Sequence, residues 1–130
     1  MGRCIRKFAE LDWITGEGSA AQTADIERVT GNLRKIEVKI PTVTGNSNLT
    51  VTVVISDISD TDFVTTLETF AGLAHGTLHI YHSRSKEYDA DKDIDETHFD
   101  LNNLRITVTP NEDTGGTLQT LTVAVKLYLD

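Results

Sequence analysis

Polar and apolar residues alternate with a period of two over most of this chain, the period of β-strands whose successive side chains point to opposite faces. Between Arg34 and Ile40, the residues Ile36, Val38 and Ile40 share one face, and Lys35, Glu37 and Lys39 share the other. Pro41 then marks a strand end, because proline cannot donate to a ladder. From Leu49 to Ile58 the inward set is Leu49, Val51, Val53 and Ile55; Thr50, Thr52 and Ser56 face out, with Val54 a break in the polar side. Thr44-Gly45-Asn46-Ser47 lies between the two segments and predicts the turn of a hairpin joining them. Further on, Leu104, Ile106 and Val108 alternate with Arg105, Thr107 and Thr109, and a polar loop runs from Pro110 to Gly116. The final strand sets Leu121, Val123, Val125, Leu127 and Leu129 against Thr120, Thr122, Lys126 and Tyr128, and predicts that the end of the chain is tied into a sheet.

The first third patterns less clearly. Ile5 to Ile14 reads as a strand with Ile5, Leu11 and Trp13 on one face, and Gly16-Glu17-Gly18-Ser19 as a loop or the hinge of an arm. Thr23 to Thr30 is placed as a strand pairing with Arg34 to Ile40 around Gly31-Asn32. One segment departs from period two: Phe63, Leu67, Phe70, Ala71 and Ala74 form a stripe at helical spacing, with Asp60 or Thr61 available as a cap. Thr65, Thr66 and Thr69 are poor helix formers; the spacing slightly favours a short helix over 63–74, with a strand as the alternative, followed by a strand at Thr77 to Arg84. The expected architecture is therefore mainly β, an antiparallel β-sandwich or jelly-roll-like barrel with one short helix. It is one domain overall, with an N-terminal strand or arm and loop over 1–33 and the sandwich core over 34–130.

Composition supports that class. At 130 residues the chain can bury a core without staples, and the abundance of Thr and Val suits a pleated surface. The net charge of -8 and the lack of a Lys/Arg cluster speak against a nucleic-acid partner and against an anionic membrane surface. Cys4 is the one cysteine, so no intrachain disulfide forms. No secretory signal and no membrane-length apolar run is visible.

Candidate chemistry is sparse. Asp89, Asp91, Asp93 and Asp95 occupy positions one, three, five and seven of a calcium loop, with Asp100 at position twelve, and are weak candidates for a cation site. Ile94 stands where the sharp turn needs glycine, so a solvated acidic loop is the plainer reading. His75, His79 and His82 are close in sequence, but on a strand His79 shares a face with Tyr81 while His82 points the other way. Cys4 has no positioned base in view. Neither a nucleophile elbow nor a phosphate loop nor a dinucleotide fingerprint occurs, so no catalytic residue, cofactor or metal is assigned and the chain reads as no enzyme. Phe8, Trp13 and Tyr128 are the candidate interface residues, since aromatics anchor contacts; Trp13 stands beside a Gly-rich hinge that would let the N-terminal strand pair with a neighbour.

Two stretches carry a family resemblance. Ile36-Glu37-Val38-Lys39-Ile40-Pro41 followed by Leu49-Thr50-Val51-Thr52-Val53-Val54-Ile55-Ser56-Asp57 resembles a strand pair of small β-rich tailed-bacteriophage virion proteins. The ending Leu121-Thr122-Val123-Ala124-Val125-Lys126-Leu127-Tyr128-Leu129, after its Gly-Gly loop, resembles their terminal strand. The resemblance covers about half the chain. It implies a capsid decoration (cement) protein, or a head–tail or tail component, soluble in the host cytoplasm before assembly and then on the capsid exterior. Its partners would be the major capsid protein or another virion protein, together with further copies of itself in a dimer or trimer. An acidic surface fits the exterior, or basic patches on the coat protein. The competing readings are a carbohydrate-binding β-sandwich, for which 6% aromatic residues is poor provision, and a small metal-dependent hydrolase on a jelly-roll scaffold.

Overall fold

The computed structural model describes residues 5–83, 93–95, 97–116 and 119–130, and among them every regular element is a strand. In chain order these are β1 (Ile5–Ile14), β2 (Gln22–Ile40), β3 (Thr50–Asp57), β4 (Thr65–Ala74), β5 (Thr77–Ser83), β6 (Asp93–Ile94), β7 (His98–Pro110) and β8 (Thr120–Leu129). All ladders are antiparallel except the short β5–β6 pair.

The pairings nest. β1 pairs with β8, the first part of β2 with β7, the second part of β2 with β5, and β3 with β4. This is one long antiparallel ribbon rolled over on itself, with the further ladders β2–β8 and β3–β7 formed by the rolling. Two facing sheets result. One runs β1-β8-β2-β5-β6 and the other β2-β7-β3-β4, with β2 shared. The layout is that of a double-sheet jelly roll.

β2 turns over in its middle. Its residues up to Asn32 pair with β7 and those from Leu33 onward with β8, with register shifts between Ile26 and Val29 and between Val29 and Gly31. Arg28 and Gly31 take positive φ there (57° and 120°), the local geometry of bulges that bend a strand across a corner. A side chain at Gly31 would start 2.7 Å from the Asp130 carbonyl oxygen. That close approach lets Asn32 and Asp130 exchange backbone hydrogen bonds of 2.8 and 3.0 Å. The turn expected at Gly31-Asn32 is absent: both residues are inside the continuous strand β2, paired with Phe99 and His98, and the segments flanking them lie in opposite sheets instead of pairing with each other. The 33/34 division likewise falls inside β2, and residues on both sides of it share one core.

Two further expectations are corrected. The segments 34–40 and 49–58 form no hairpin, because rolling sends β2 and β3 to different sheets and their connection crosses the end of the sandwich. The helix over 63–74 is instead β4, an edge strand. Its apolar spacing has a different cause. β4 carries an extra residue between the partners of Val51 and Val53, and another between those of Ile55 and Ser56. Each bulge stretches the period from two to three, so Leu67, Phe70 and Leu73 meet the core at intervals that imitate a helix. Phe63 lies outside the strand and is 78% exposed.

Elsewhere the alternation is realised. Ile36, Val38 and Ile40 of β2, Val51, Val53 and Ile55 of β3, Leu104, Ile106 and Val108 of β7, and all five apolar residues of β8 are buried between the sheets. Each such side chain contributes roughly 1.5–3 kcal/mol over its exposed state. At one end of the sandwich three loops interlock. The Asp113 carboxylate accepts from the Gly16, Gly18 and Gly115 amides at 2.9–3.0 Å. A Cβ on Gly45 would lie 2.5–2.6 Å from the Gly115-Gly116 backbone, so the two loops pack main chain against main chain.

Candidate interaction surface

The outward positions of the β1-β8-β2-β5 sheet are set by the same alternation that fills the core. The registers align them in rows: Arg6, Tyr128, Lys35 and His82; then Phe8, Lys126, Glu37 and Ile80; then Glu10, Ala124, Lys39 and Leu78. Phe8 and Tyr128 thus stand on one face, diagonal neighbours across β1 and β8. Phe8 is 52% and Leu78 47% exposed.

Cations and rings interleave. Lys35 Nζ sits 4.2 Å from the centre of the Tyr128 ring, Arg6 5.8 Å and Lys126 5.9 Å; Lys126 is also 5.8 Å from the Phe8 ring. A cation above a ring face is drawn to its negative quadrupole. Lys35 also pairs with Glu37 at 3.1 Å. The Tyr128 hydroxyl donates to the Glu37 carboxylate, which holds Glu37 below its ordinary range and lifts the phenol above its own. Around this cluster the face is locally cationic, with Arg6, Lys35, Lys39 and Lys126 against Glu10 and Glu37, on a chain whose net charge is -8. Ala124, small among long neighbours, leaves an open groove of about 390 Å³ bordered by Phe8, Glu10, Lys39 and Leu78.

Trp13 is not on this face. An odd position on β1, it points inward, is 1% exposed, and donates its indole N–H to the Ala20 carbonyl at 2.9 Å. The expectation of Trp13 as a contact residue is therefore corrected: the ring is a core plug that anchors the 15–21 loop. Lys35, Lys126 and Glu37 were missed as members of the surface, because only the β2–β8 register brings them beside Tyr128.

The remaining candidates separate. Asp89, Asp91 and Cys4 lie outside the described residues, as does the side chain of Asp93, whose backbone opens β6. Asp95 is exposed, and its amide donates to the Glu68 carboxylate at 3.1 Å. His75 accepts from the Val43 amide at 3.1 Å and lies 3.2 Å from the Ser47 carbonyl; His79 Nε2 lies 3.0 Å from the Ala74 carbonyl; His82 is on the outer face. Among the described residues no three His, Cys, Asp or Glu side chains converge as metal ligands.

A second groove, about 470 Å³, opens between the facing edges of β4 and β5. Phe70 and Tyr81 stack across it at 4.0 Å. At the other end of the sandwich Phe63 and Leu101 (64% exposed) project. No helix of the described residues is long and apolar enough to cross a membrane.

No protein-family model matches the chain, and no curated protein matches it significantly. Among solved structures it is similar to infectious bursal disease virus of the Gx strain (TM-score 0.44, 11% identity) and to the VP2 subviral particle of that virus (TM-score 0.45, 13% identity). Each overlay covers 98% of this chain and 33% of the other, so the chain spans about a third of those proteins. T=1 particles derived from the same virus overlay at TM-score 0.32 with 14% identity, covering 97% of this chain and 39% of the other. At these scores no functional assignment rests on the overlays.

Proposed function

We infer that this protein is a non-catalytic structural protein of virus particles, and more finely a tailed-bacteriophage capsid decoration protein that binds the major capsid protein. The observation that carries the reading is the outer face of the β1-β8-β2-β5 sheet: a four-strand platform with Phe8 and Leu78 exposed and Tyr128 half-buried among four cations. Aromatic residues and arginine are enriched at protein-contact surfaces, and Phe8, Tyr128 and Arg6 supply them on this face. The jelly roll is used by viral shell domains, lectins and cupins alike, so the surface and not the fold weighs between them. A lectin reading would call for aromatic platforms around a concavity, whereas Phe8 and Tyr128 stand on the flank of a sheet with lysines above them. An enzyme of the cupin kind would call for polar groups between the sheets, and the described interior there is lined by aliphatic and aromatic residues.

The local positive charge refines the expected partner. The contact region on the shell would be acidic or carbonyl-rich, and binding would weaken as salt screens the lysines. The test is co-sedimentation of the purified protein with empty shells lacking it. Saturable binding, reduced at least tenfold by Lys35→Glu/Lys126→Glu, supports the reading. Absence of the polypeptide from purified particles would overturn it.

A further inference from the structure

We propose that the free edge of β1 joins the same edge of a second copy, making a two-fold dimer in which the two outer faces become one continuous sheet. Among the described residues β1 pairs with β8 alone, so its other edge presents unpartnered backbone groups. Which groups these are follows from the ladder. Thr15 donates its amide to Gln119, so the odd residues of β1 bond toward β8 and the even ones face away.

The free edge is already closed at its upper end. Gln22 donates its side-chain amide to the Asp12 carbonyl at 2.6 Å, and the Ile14 amide donates to Glu17 at 3.0 Å. What stays open is the stretch Arg6, Phe8, Glu10. It reads as its own antiparallel complement. With Phe8 facing Phe8 of the second copy across the two-fold axis, each Arg6 falls opposite a Glu10. On the inner side Ile5, 40% exposed in the single chain, falls opposite Leu11. Shifting the axis by one residue to Ala9 would pair Arg6 with Asp12, but the Asp12 carbonyl is occupied and Phe8 would then meet a carboxylate. Neither Arg6 nor Glu10 has an ion-pair partner within its own chain among the described residues. Opposite charges directly across a ladder stabilise it, and like charges oppose it. The second copy is therefore the occupant that this edge selects. The inference is independent of the virion reading, since it would hold for any soluble role.

The test is sedimentation equilibrium of the full chain over a concentration series reaching about 1 mM, the weak end for an interface this small. A species of about twice 14.3 kDa is expected. Arg6→Glu and Glu10→Arg each place like charges opposite twice over and weaken the dimer about tenfold, while the double exchange restores it. Glu10→Arg is the sharpest arm, because it lowers the net negative charge and would strengthen any association limited by overall repulsion. In a Cys4→Ser background, Phe8→Cys closes a disulfide between copies on mild oxidation, since hydrogen-bonded antiparallel partners lie about 5.5 Å apart at Cα. A chain that stays monomeric throughout the series, or a dimer indifferent to both single exchanges, overturns the proposal.

Discussion

Replacing Trp13 with alanine empties the largest of the fully buried side-chain sites and releases the loop that its indole holds. Trp13 lies in the core beside β8, opposite Leu121, with its N–H bonded to Ala20 at 2.9 Å. Truncation of a buried aromatic costs about 3–5 kcal/mol. About 1 kcal/mol belongs to the Ala20 carbonyl that loses its donor. Against a total stability of about 5–15 kcal/mol, that is enough to bring the variant near its unfolding threshold. Trp13→Phe keeps most of the ring but not the donor, and is expected to cost about 1–2 kcal/mol. The measurement is urea unfolding followed by far-ultraviolet circular dichroism, because both variants lack the one tryptophan. In the wild type the same residue is expected to serve as a reporter, with blue-shifted emission that iodide does not quench until unfolding, because the ring is 1% exposed. A loss below about 1 kcal/mol in Trp13→Ala, or ready quenching in the native state, would refute the placement of this ring in the core.

Gly45→Ala is expected to cost about 1–3 kcal/mol, since its Cβ would meet the Gly115-Gly116 backbone, which cannot move aside as a side chain does; thermal unfolding measures it. Phe70→Leu and Tyr81→Leu, combined in a double-mutant cycle, should show a coupling of about 0.5–1.5 kcal/mol from the stacked rings. The Asp113 carboxyl is held below its ordinary range, first by the Gly115 amide and then by those of Gly18 and Gly16. A lowered carboxylate pKa contributes stability that is present above the unfolded-state value near 4 and lost as pH falls through the folded value. The melting temperature of Asp113→Asn should therefore fall less steeply than that of wild type on acidification below about pH 4; parallel curves would count against the loop clasp.

How far the sequence was legible can be followed residue by residue. The inward sets of β3, β7 and β8 were readable because an unbroken period of two admits one buried face, and the ends of those strands carried turn residues. Phe8 and Tyr128 were named as candidate interface aromatics, but their common face was not legible. Nothing in the local pattern says that β8 lies between β1 and β2, or that Lys35 and Lys126 flank the same ring. The helix expected at 63–74 failed for a specific reason. Bulges at Leu67 and Gly72 lengthen the apolar spacing of an edge strand, and a one-dimensional pattern cannot tell an inserted residue from a helical turn.

What the sequence alone determined is the kind of element and its inward side, because both follow from side-chain alternation within a few residues. Trp13 marks the limit: the pattern placed it on one face with Ile5 and Leu11, and only the packing of the two sheets made that face part of the core. Only the tertiary structure decided which strands are neighbours, since pairing depends on contacts between distant residues such as Arg6 with Tyr128 and Gly31 with Asp130. Consecutive alternating segments predict a hairpin just as well as a crossover. It is the corner at Arg28 to Leu33, where β2 passes from one sheet to the other, that rolls the ribbon and assembles the outer face.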